Sequence, residues 1–496
     1  MDMSSINKNW KGAHMNNIID FLGLSDDDVE ILKIEIVDNI KYVHIQKKLK
    51  PQFCSKCNYR MHSKGIRRRK VRHPIFQDGF QLVFIVNERR WVCSNPDCDG
   101  YCIDGFTFFG KGKQTSNLTP FMVLDALKDL NRTAVSVADQ FHISDTLVHT
   151  YVLTYLELKR LSLPRILSVD EVFLDFNNKN RYCLVLLDFE TGDIVDLLPN
   201  RNKETIDDYF YSISRKERDK VETVICDMYG PYLNFPDRYF HNSKCIVDSF
   251  HVVSYLTRSI NNYINKVLKH YQEIDNKRRQ EKNHQFNKSY KTIKESREVI
   301  LLKNYRFFLL KNRDDIEYSS NRYYQKRFGA YLSTYELEKY FMELDPHFER
   351  IRDLKEEYIS FNHDCFGLEE INILKKLDTL IDQYRNSGLS IFIDFADHLK
   401  TFKKEIVLSF KDFGIPSLNE KSEEYHRRLS NGPMEGFNRK PKDLKRNSRG
   451  FDNFEYTRNR ILWSTRKDAL LLAIPKEEAE VHTYTKKKRG PYKKKH

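Results

Sequence analysis

Two sets of residues in this chain have the types and spacing that chemistry requires. Cys54-Ser-Lys-Cys57 leaves two residues between its thiols, and Cys93-Ser-Asn-Pro-Asp-Cys98 leaves four. Each pair is close enough to share one β-turn, and two such knuckles can surround a single tetrahedral zinc ion with Cys54, Cys57, Cys93 and Cys98. Cys102, shortly after Cys98, offers a substitute fourth ligand. The second set is acidic: Asp170 in LSVDEV, Asp227 in VICDMYG and Glu435 in SNGPMEGFNRK. Carboxylate oxygens are the donors that hard ions such as Mg²⁺ or Mn²⁺ take. Two such ions about 4 Å apart activate an attacking oxygen and stabilise a leaving one in phosphodiester chemistry. Asp188 also closes a strand-like run, so position at a strand end does not by itself select an acid.

These residues need elements to hold them. Before Gly112, the stretches Ile31 to Val37, Tyr42 to Gln46 and Phe80 to Asn87 read as strands, with the cysteine pairs at their ends. Thr133 to Phe141, the connection His142-Ile143-Ser144 and Asp145 to Leu158 read as a helix-turn-helix with Ser144 as the second N-cap. Recognition helices offer their early residues to the major groove, which makes Thr146, His149 and Thr150 the candidates to face DNA. Strands at Ile166 to Phe173, Arg181 to Phe189 and Ile194 to Leu198 precede a helix (Glu204 to Ser214) and a strand (Val221 to Cys226). A helix beyond Pro231, a strand Lys244 to Val247 and a helix after Phe250 follow. That order is the one of a ribonuclease-H-like sheet, in which carboxylates at strand ends converge on one edge. The gap from Asp227 to Glu435 is too long for a loop and reads as an all-helical insertion.

The charge is +14 over 496 residues, and its placement is uneven. Arg60 to Arg72, Arg427 to Arg449 and Lys486 to His496 carry +7, +6 and +7, leaving the rest at −6. A mildly acidic body with three basic patches calls for a polyanion. Arg67, Arg68, Arg69 and Lys70 are the densest part of the first patch. In the second, Glu435, Arg439, Lys442 and Arg446 recur at helical spacing and put a carboxylate beside cations on one face, if Pro441 only kinks the helix. The opening MDMSSINKNW lacks the pattern of a signal peptide, and nine cysteines, an odd number with five of them between positions 54 and 102, are not a secreted disulfide framework. The longest apolar run, Ala469 to Ile474, reads as a core helix and is too short to span a membrane. Cys183, Cys226, Cys245 and Cys365 lie singly among apolar residues and read as core.

Several of these segments together resemble the bacterial insertion-sequence transposases of the IS-L-three family. The resemblance is carried by SNGPMEGFNRKPKDLKRNSRGFDNFEYTRNRI (Ser430 to Ile461), VDSFHVV (Val247 to Val253), DEVF at Asp170, RYCLVLLDFETG at Arg181 and CDMYGPY at Cys226. It implies a zinc ribbon, a helix-turn-helix and an acidic-triad (DDE) domain. It also implies that Asp170, Asp227 and Glu435 are the catalytic triad holding two Mg²⁺ (or Mn²⁺) ions, and that Cys54, Cys57, Cys93 and Cys98 ligate one structural zinc. Asp248, with Phe250 and His251, matches a further family motif whose role the resemblance leaves open.

The expected architecture is multidomain α+β: a zinc ribbon (1–112), a helix-turn-helix (113–162), a ribonuclease-H-like domain (163–254) split by an all-helical insertion (255–425) before its C-terminal helices (426–475), and a basic tail (476–496). The expected activity is that of a DNA transposase acting in the bacterial cytoplasm at the nucleoid, with no membrane partner. It would bind terminal inverted repeats, hydrolyse the phosphodiester at each element end and join the freed 3′-OH to target DNA, as a homodimer or larger assembly. The alternatives are a non-catalytic DNA-binding regulator derived from a transposase, and a nuclease that cleaves without joining.

Overall fold

The computed structural model describes residues 28–477 apart from 78, 111, 177–179, 287–294, 419–422, 449–452 and 468, together with residue 481. The basic run from Lys486 lies outside the described residues. Two compact units emerge: residues up to Lys159 combined with those from Asp443 onward, and Arg160–Lys442 between them.

The first unit holds a sheet of β1 (Val29–Val37), β2 (Ile40–Lys47), β3 (Met61–Gln77), β4 (Phe80–Cys93) and β5 (Tyr101–Ile103) in the order β1-β2-β4-β3, with β5 also on β4. Its core is one face: Val43, Ile45, Val71, Leu82, Phe84 and Val86 pack against Phe108 and Phe109. β3 was not anticipated, because it carries the basic run and is broken by Gly65 and Pro74. Its register shifts fall between Ser63 and Ile66 and between Arg72 and Phe76, bracketing those two residues. Glycine at φ 105° and a proline without an N–H are what such irregularities tolerate.

Three helices follow, α1 (Thr119–Ala126), α2 (Ala134–Phe141) and α3 (Asp145–Tyr155). Thr133 and Ser136 form a capping box at the start of α2, and the Ser144 hydroxyl caps α3 by accepting from the Leu147 N–H. His142 occupies the left-handed position between them, at φ 52°, where glycine is commoner. The second helix stops at Tyr155, three residues short of the expected Leu158. Phe454–Thr465, which the sequence groups with the catalytic domain, instead packs with these helices. Trp463 Nε1 donates to Leu124 O at 2.7 Å, and the buried Arg460 donates to the carbonyls of Asp129 and Arg132 at 2.7 and 3.0 Å. The segment Ala469 to Ile474 is not the expected core helix: Leu470 and Ile474 are exposed, and Leu471 makes an isolated bridge to Leu156. No described helix is long and apolar enough to cross a membrane.

The second unit is built on a sheet ordered β10-β9-β6-β7-β8, comprising β6 (Ile166–Phe176), β7 (Asn180–Asp188), β8 (Ile194–Leu198), β9 (Thr223–Cys226) and β10 (Lys244–Val247). β6, β7 and β8 are an antiparallel meander, whereas β9 and β10 run parallel to β6. The central strands are buried apolar residues on both faces, as parallel pairing demands. Cys183, Cys226, Cys245 and Cys365 are buried as expected. From β10 the chain enters the 38-residue helix Ser249–Phe286, whose apolar side joins the helices Phe348–Asp364, Glu370–Arg385 and Ser390–Thr401 in one large core. The insertion is not wholly helical. It contains the hairpins Tyr323–Gln325 with Ala330–Leu332 and Pro416–Leu418 with Glu424–His426, strands too short to leave a period-two pattern in the sequence.

Candidate active site and metal centres

The four thiols of the knuckles converge. Cys54, Cys57, Cys93 and Cys98 place their Sγ atoms within 4.8 Å of one another, all free of disulfides. Backbone N–H groups of Lys56 and Asn95 point at Cys54 and Cys93 Sγ at 3.4 Å each, the pattern that stabilises thiolates in a turn. Amide donation from Lys56 and Cys57 draws the Cys54 thiol down to about 7, while Cys57 beside it pushes Cys98 up to about 12. Four thiols in contact cannot ionise together without a cation between them. Gly100 completes the cradle: a Cβ there would overlap Cys54 Sγ and sit 3.3 Å from Cys93 Cβ. Sulfur donors in this arrangement fit a tetrahedral zinc ion. Cys102 lies outside the group, on β5, with its thiol against Met61 Sδ at 3.7 Å.

The second convergence lies in the other unit. Asp170 is in the middle of β6, and Asp227 immediately follows the neighbouring parallel strand β9, so the sheet alone brings both carboxylates to one region. The third group there is His251, in the first turn of Ser249–Phe286, and one ligand atom from each of the three lies within 4.8 Å of the others. His251 Nε2 touches Asp227 Oδ1, yet neither atom has hydrogen-bonding alignment. Burial acts to lower the His251 imidazole, but Asp227, Asp248 and Asp170 together raise it above its ordinary value. Burial drives Asp170 up to about 6, with the Asp227 charge adding and the Glu171 N–H opposing.

Above Asp170 runs the helix Gly432–Asn447. Asn438, buried, donates from Nδ2 to Asp170 Oδ2 at 2.7 Å, and Asn431 Nδ2 donates to the Val169 carbonyl at 3.4 Å. Glu435 is half-buried one turn before Asn438 and does not join the Asp170–Asp227–His251 group. Its charge instead reaches Asp248, a carboxyl only 1% exposed that burial raises and Glu435 raises further. Asp248 Oδ2, Asn431 Oδ1 and Asn438 Oδ1 are buried oxygens without hydrogen-bond partners, and Asp227 Oδ1 has the His251 ring against it. Orphaned oxygens in such number are costly, and a hard divalent cation is the group this donor set fits. Asp188, by contrast, accepts from the Glu190 N–H and the Thr191 hydroxyl and serves its turn.

Sequence reasoning singled out His251 without assigning it a role and missed Asn438 altogether. The three-residue offset from Glu435, which puts Asn438 on the same helix side, was the available signal.

The basic residues of β3 divide by strand alternation. Arg68, Lys70 and Arg72 share one face and line a groove of about 620 Å³ with Ile40, Tyr42, Gln81 and His142. Arg67 and Arg69 alternate with them along the strand and border the same groove. Arg69 is enclosed: it pairs with Glu88, donates to the Gly110 and Lys113 carbonyls and lies over the Phe109 ring. Its guanidinium is thereby held against Glu88 and Phe109 at the edge of the groove. His149 likewise stacks on Tyr456 at 4.0 Å, so its ring packs inside this unit, whereas Thr146 is exposed and Thr150 returns its hydroxyl to the Thr146 carbonyl. On the helix Gly432–Asn447, Arg439, Lys442 and Arg446 are exposed, the last paired with Asp443.

A family model described as transposase, of the DDE type named for ISL3, matches residues 167–461, over half the chain. No curated protein matches the sequence.

Proposed function

The chain belongs to the ISL3 family of DDE transposases, and from that premise we propose that it cuts DNA at the ends of an insertion sequence and joins those ends to a target. The observation that carries this reading is the meeting of Asp170, Asp227 and His251 beneath the helix that bears Glu435 and Asn438. The order of the second sheet, a three-strand meander flanked by two parallel strands, supports a ribonuclease-H-like catalytic domain.

In this reading Asp170 and Asp227 would hold the divalent ions, with Glu435 adding a carboxylate from its helix. Two divalent ions, when bound, supply Lewis-acid activation of the attacking oxygen and charge neutralisation at the leaving one. Asn438 fixes which Asp170 oxygen faces inward. His251 lies against Asp227, whose charge favours the protonated imidazole. Water attacks the phosphodiester at the element end, the bond from phosphorus to the element's 3′ oxygen breaks and leaves a 5′-phosphate on the flanking strand, and the freed 3′-OH then attacks a target phosphodiester and displaces the target strand's 3′ oxygen. Cys54, Cys57, Cys93 and Cys98 hold a structural zinc. The face bearing Arg68, Lys70 and Arg72, with Thr146 at the start of its helix, grips the terminal inverted repeats, and two chains bring two ends together.

The test uses purified protein, Mg²⁺ or Mn²⁺, and a duplex carrying the repeats that flank the gene. Nicked and joined products are expected, and Asp170→Ala should abolish both while retaining DNA binding. Binding without nicking supports a regulator, and nicking without joining supports a nuclease. Undiminished nicking by Asp170→Ala refutes the site.

A further inference from the structure

The helical insertion contains one element that its packing does not explain. The hairpin of Tyr323–Gln325 and Ala330–Leu332 is anchored on one side only. Leu332 is buried in the large helical core, Ala330 and Phe328 pack against that core, and Gln325 Oε1 accepts from the Tyr305 hydroxyl at 3.1 Å. Strand alternation then turns the directly opposed pair Tyr324 and Tyr331 away from the core. They are 56% and 66% exposed, with ring centroids 5.3 Å apart, and Tyr323 beside them is 59% exposed. The turn between the strands carries Lys326 and Arg327, both exposed, and closes on Gly329 in the left-handed region at φ 64°. From Asn321 to Tyr331 there are three cations and no acid. Arg322 is committed to Glu336, which leaves the tip as the hairpin's cationic end.

Large aromatic rings held outward on a rigid, short hairpin gain nothing from water, and cations at its tip favour a polyanion. We propose that this hairpin binds unpaired nucleotides of the DNA substrate, with Tyr324 and Tyr331 as a stacking platform for bases and Lys326 and Arg327 on the adjoining phosphates. The inference rests on the DNA-acting reading above. Every base has a π-face, so such a platform takes single strands without sequence preference, whereas paired bases in a duplex do not offer their faces. The 5.3 Å spacing is too narrow for a base to enter between the rings, so bases stack on the outer surface of the pair.

The experiment is fluorescence anisotropy with the full chain, without added divalent ion, on a fluorescein-labelled oligothymidine of about 20 nucleotides and on a duplex of the same length. Tyr324→Ala/Tyr331→Ala should weaken oligothymidine binding roughly 5- to 150-fold per lost stack and leave duplex binding within about twofold. Tyr324→Phe/Tyr331→Phe keeps the rings and should keep the affinity. Lys326→Ala/Arg327→Ala should reduce the salt dependence of oligothymidine binding by about 1.4 in log–log slope, two phosphates' worth. Unchanged oligothymidine affinity in the Ala pair, or equal losses on both probes, overturns the proposal. So does a changed oligomeric state with unchanged DNA affinity, which assigns the hairpin to a protein interface. Wild-type protein that nicks element ends while the Ala pair binds normally removes the hairpin alone. Wild-type protein that binds neither probe removes the DNA-acting reading with it.

Discussion

Gly100→Ala isolates the zinc proposal in one methyl group. Gly100 follows the second knuckle and its carbonyl accepts from the Cys93 N–H at 2.9 Å. Its missing side chain is the space that Cys54 Sγ occupies, and an added Cβ would also lie 3.3 Å from Cys93 Cβ and 3.4 Å from Cys98 Sγ. Cys54 must therefore shift to admit it, and Cys93 must give by a few tenths of an ångström. Overpacking of this kind costs about 1–3 kcal/mol, which corresponds to a roughly 5- to 150-fold loss of metal affinity. A structural zinc contributes on the order of 10 kcal/mol, so the variant should still fold and still load at saturating zinc. The loss appears in competition, as transfer of the metal to a chromophoric chelator at lower chelator concentration. The control is Gly105→Ala, nearby in the chain, where a Cβ meets no atom within 4 Å. Wild-type affinity in Gly100→Ala, or an equal loss in Gly105→Ala, refutes the four-thiolate centre.

Asn438→Ala removes the hydrogen bond that orients Asp170, and loss of such an outer partner typically costs 10- to 100-fold, or about 1.4–2.7 kcal/mol; titration calorimetry with Mn²⁺ and the nicking rate should both register it. Metal affinity should also fall with pH. The Asp170 carboxyl titrates near 6, above its ordinary 3.8, so below that value a proton competes with the metal, and apparent affinity should drop about tenfold per pH unit, levelling off above it. The same shift has the opposite sign for the metal-free fold. The native state holds this proton more tightly than the unfolded chain, so its contribution to stability grows as pH is lowered through 6 and is complete below about 4. Arg460→Ala should lower the stability of the first unit by about 2–5 kcal/mol, since it leaves the buried carbonyls of Asp129 and Arg132 without donors; thermal unfolding measures it.

What the sequence made legible was local. The knuckles could be read because turn geometry ties each cysteine to a partner three or five residues away. Asp170 and Asp227 could be read because apolar, β-branched runs mark the strands that carry them. The strand Met61–Gln77 was hidden, since a run of cations with an internal glycine and proline resembles a solvated loop; only the buried face supplied by Val71 and His73 betrays it. Arg69 and His149 illustrate the converse. Each has a residue type suited to DNA, and each is taken up by tertiary partners, Glu88 with Phe109 and Tyr456, that no window around it contains.

The helix Gly432–Asn447 shows why Glu435 could be found from its motif while the residue that touches Asp170 could not. Pro441 lies inside the helix, where it removes an N–H and clashes with the preceding turn at a cost of about 3 kcal/mol. The helix persists because Met434, Phe437 and Leu444 are buried on one stripe with Pro441, and each such apolar side chain contributes about 1.5–3 kcal/mol. Asn438 belongs to that stripe, so the packing that carries the helix through its proline also fixes the amide against Asp170. Arg439 and Lys442, four and seven residues after Glu435, are exposed along its side of the helix. Carboxylate, amide and cations are thus fixed on one rod, and a shift that pulls the cationic side toward a phosphate must also move the donor that orients Asp170.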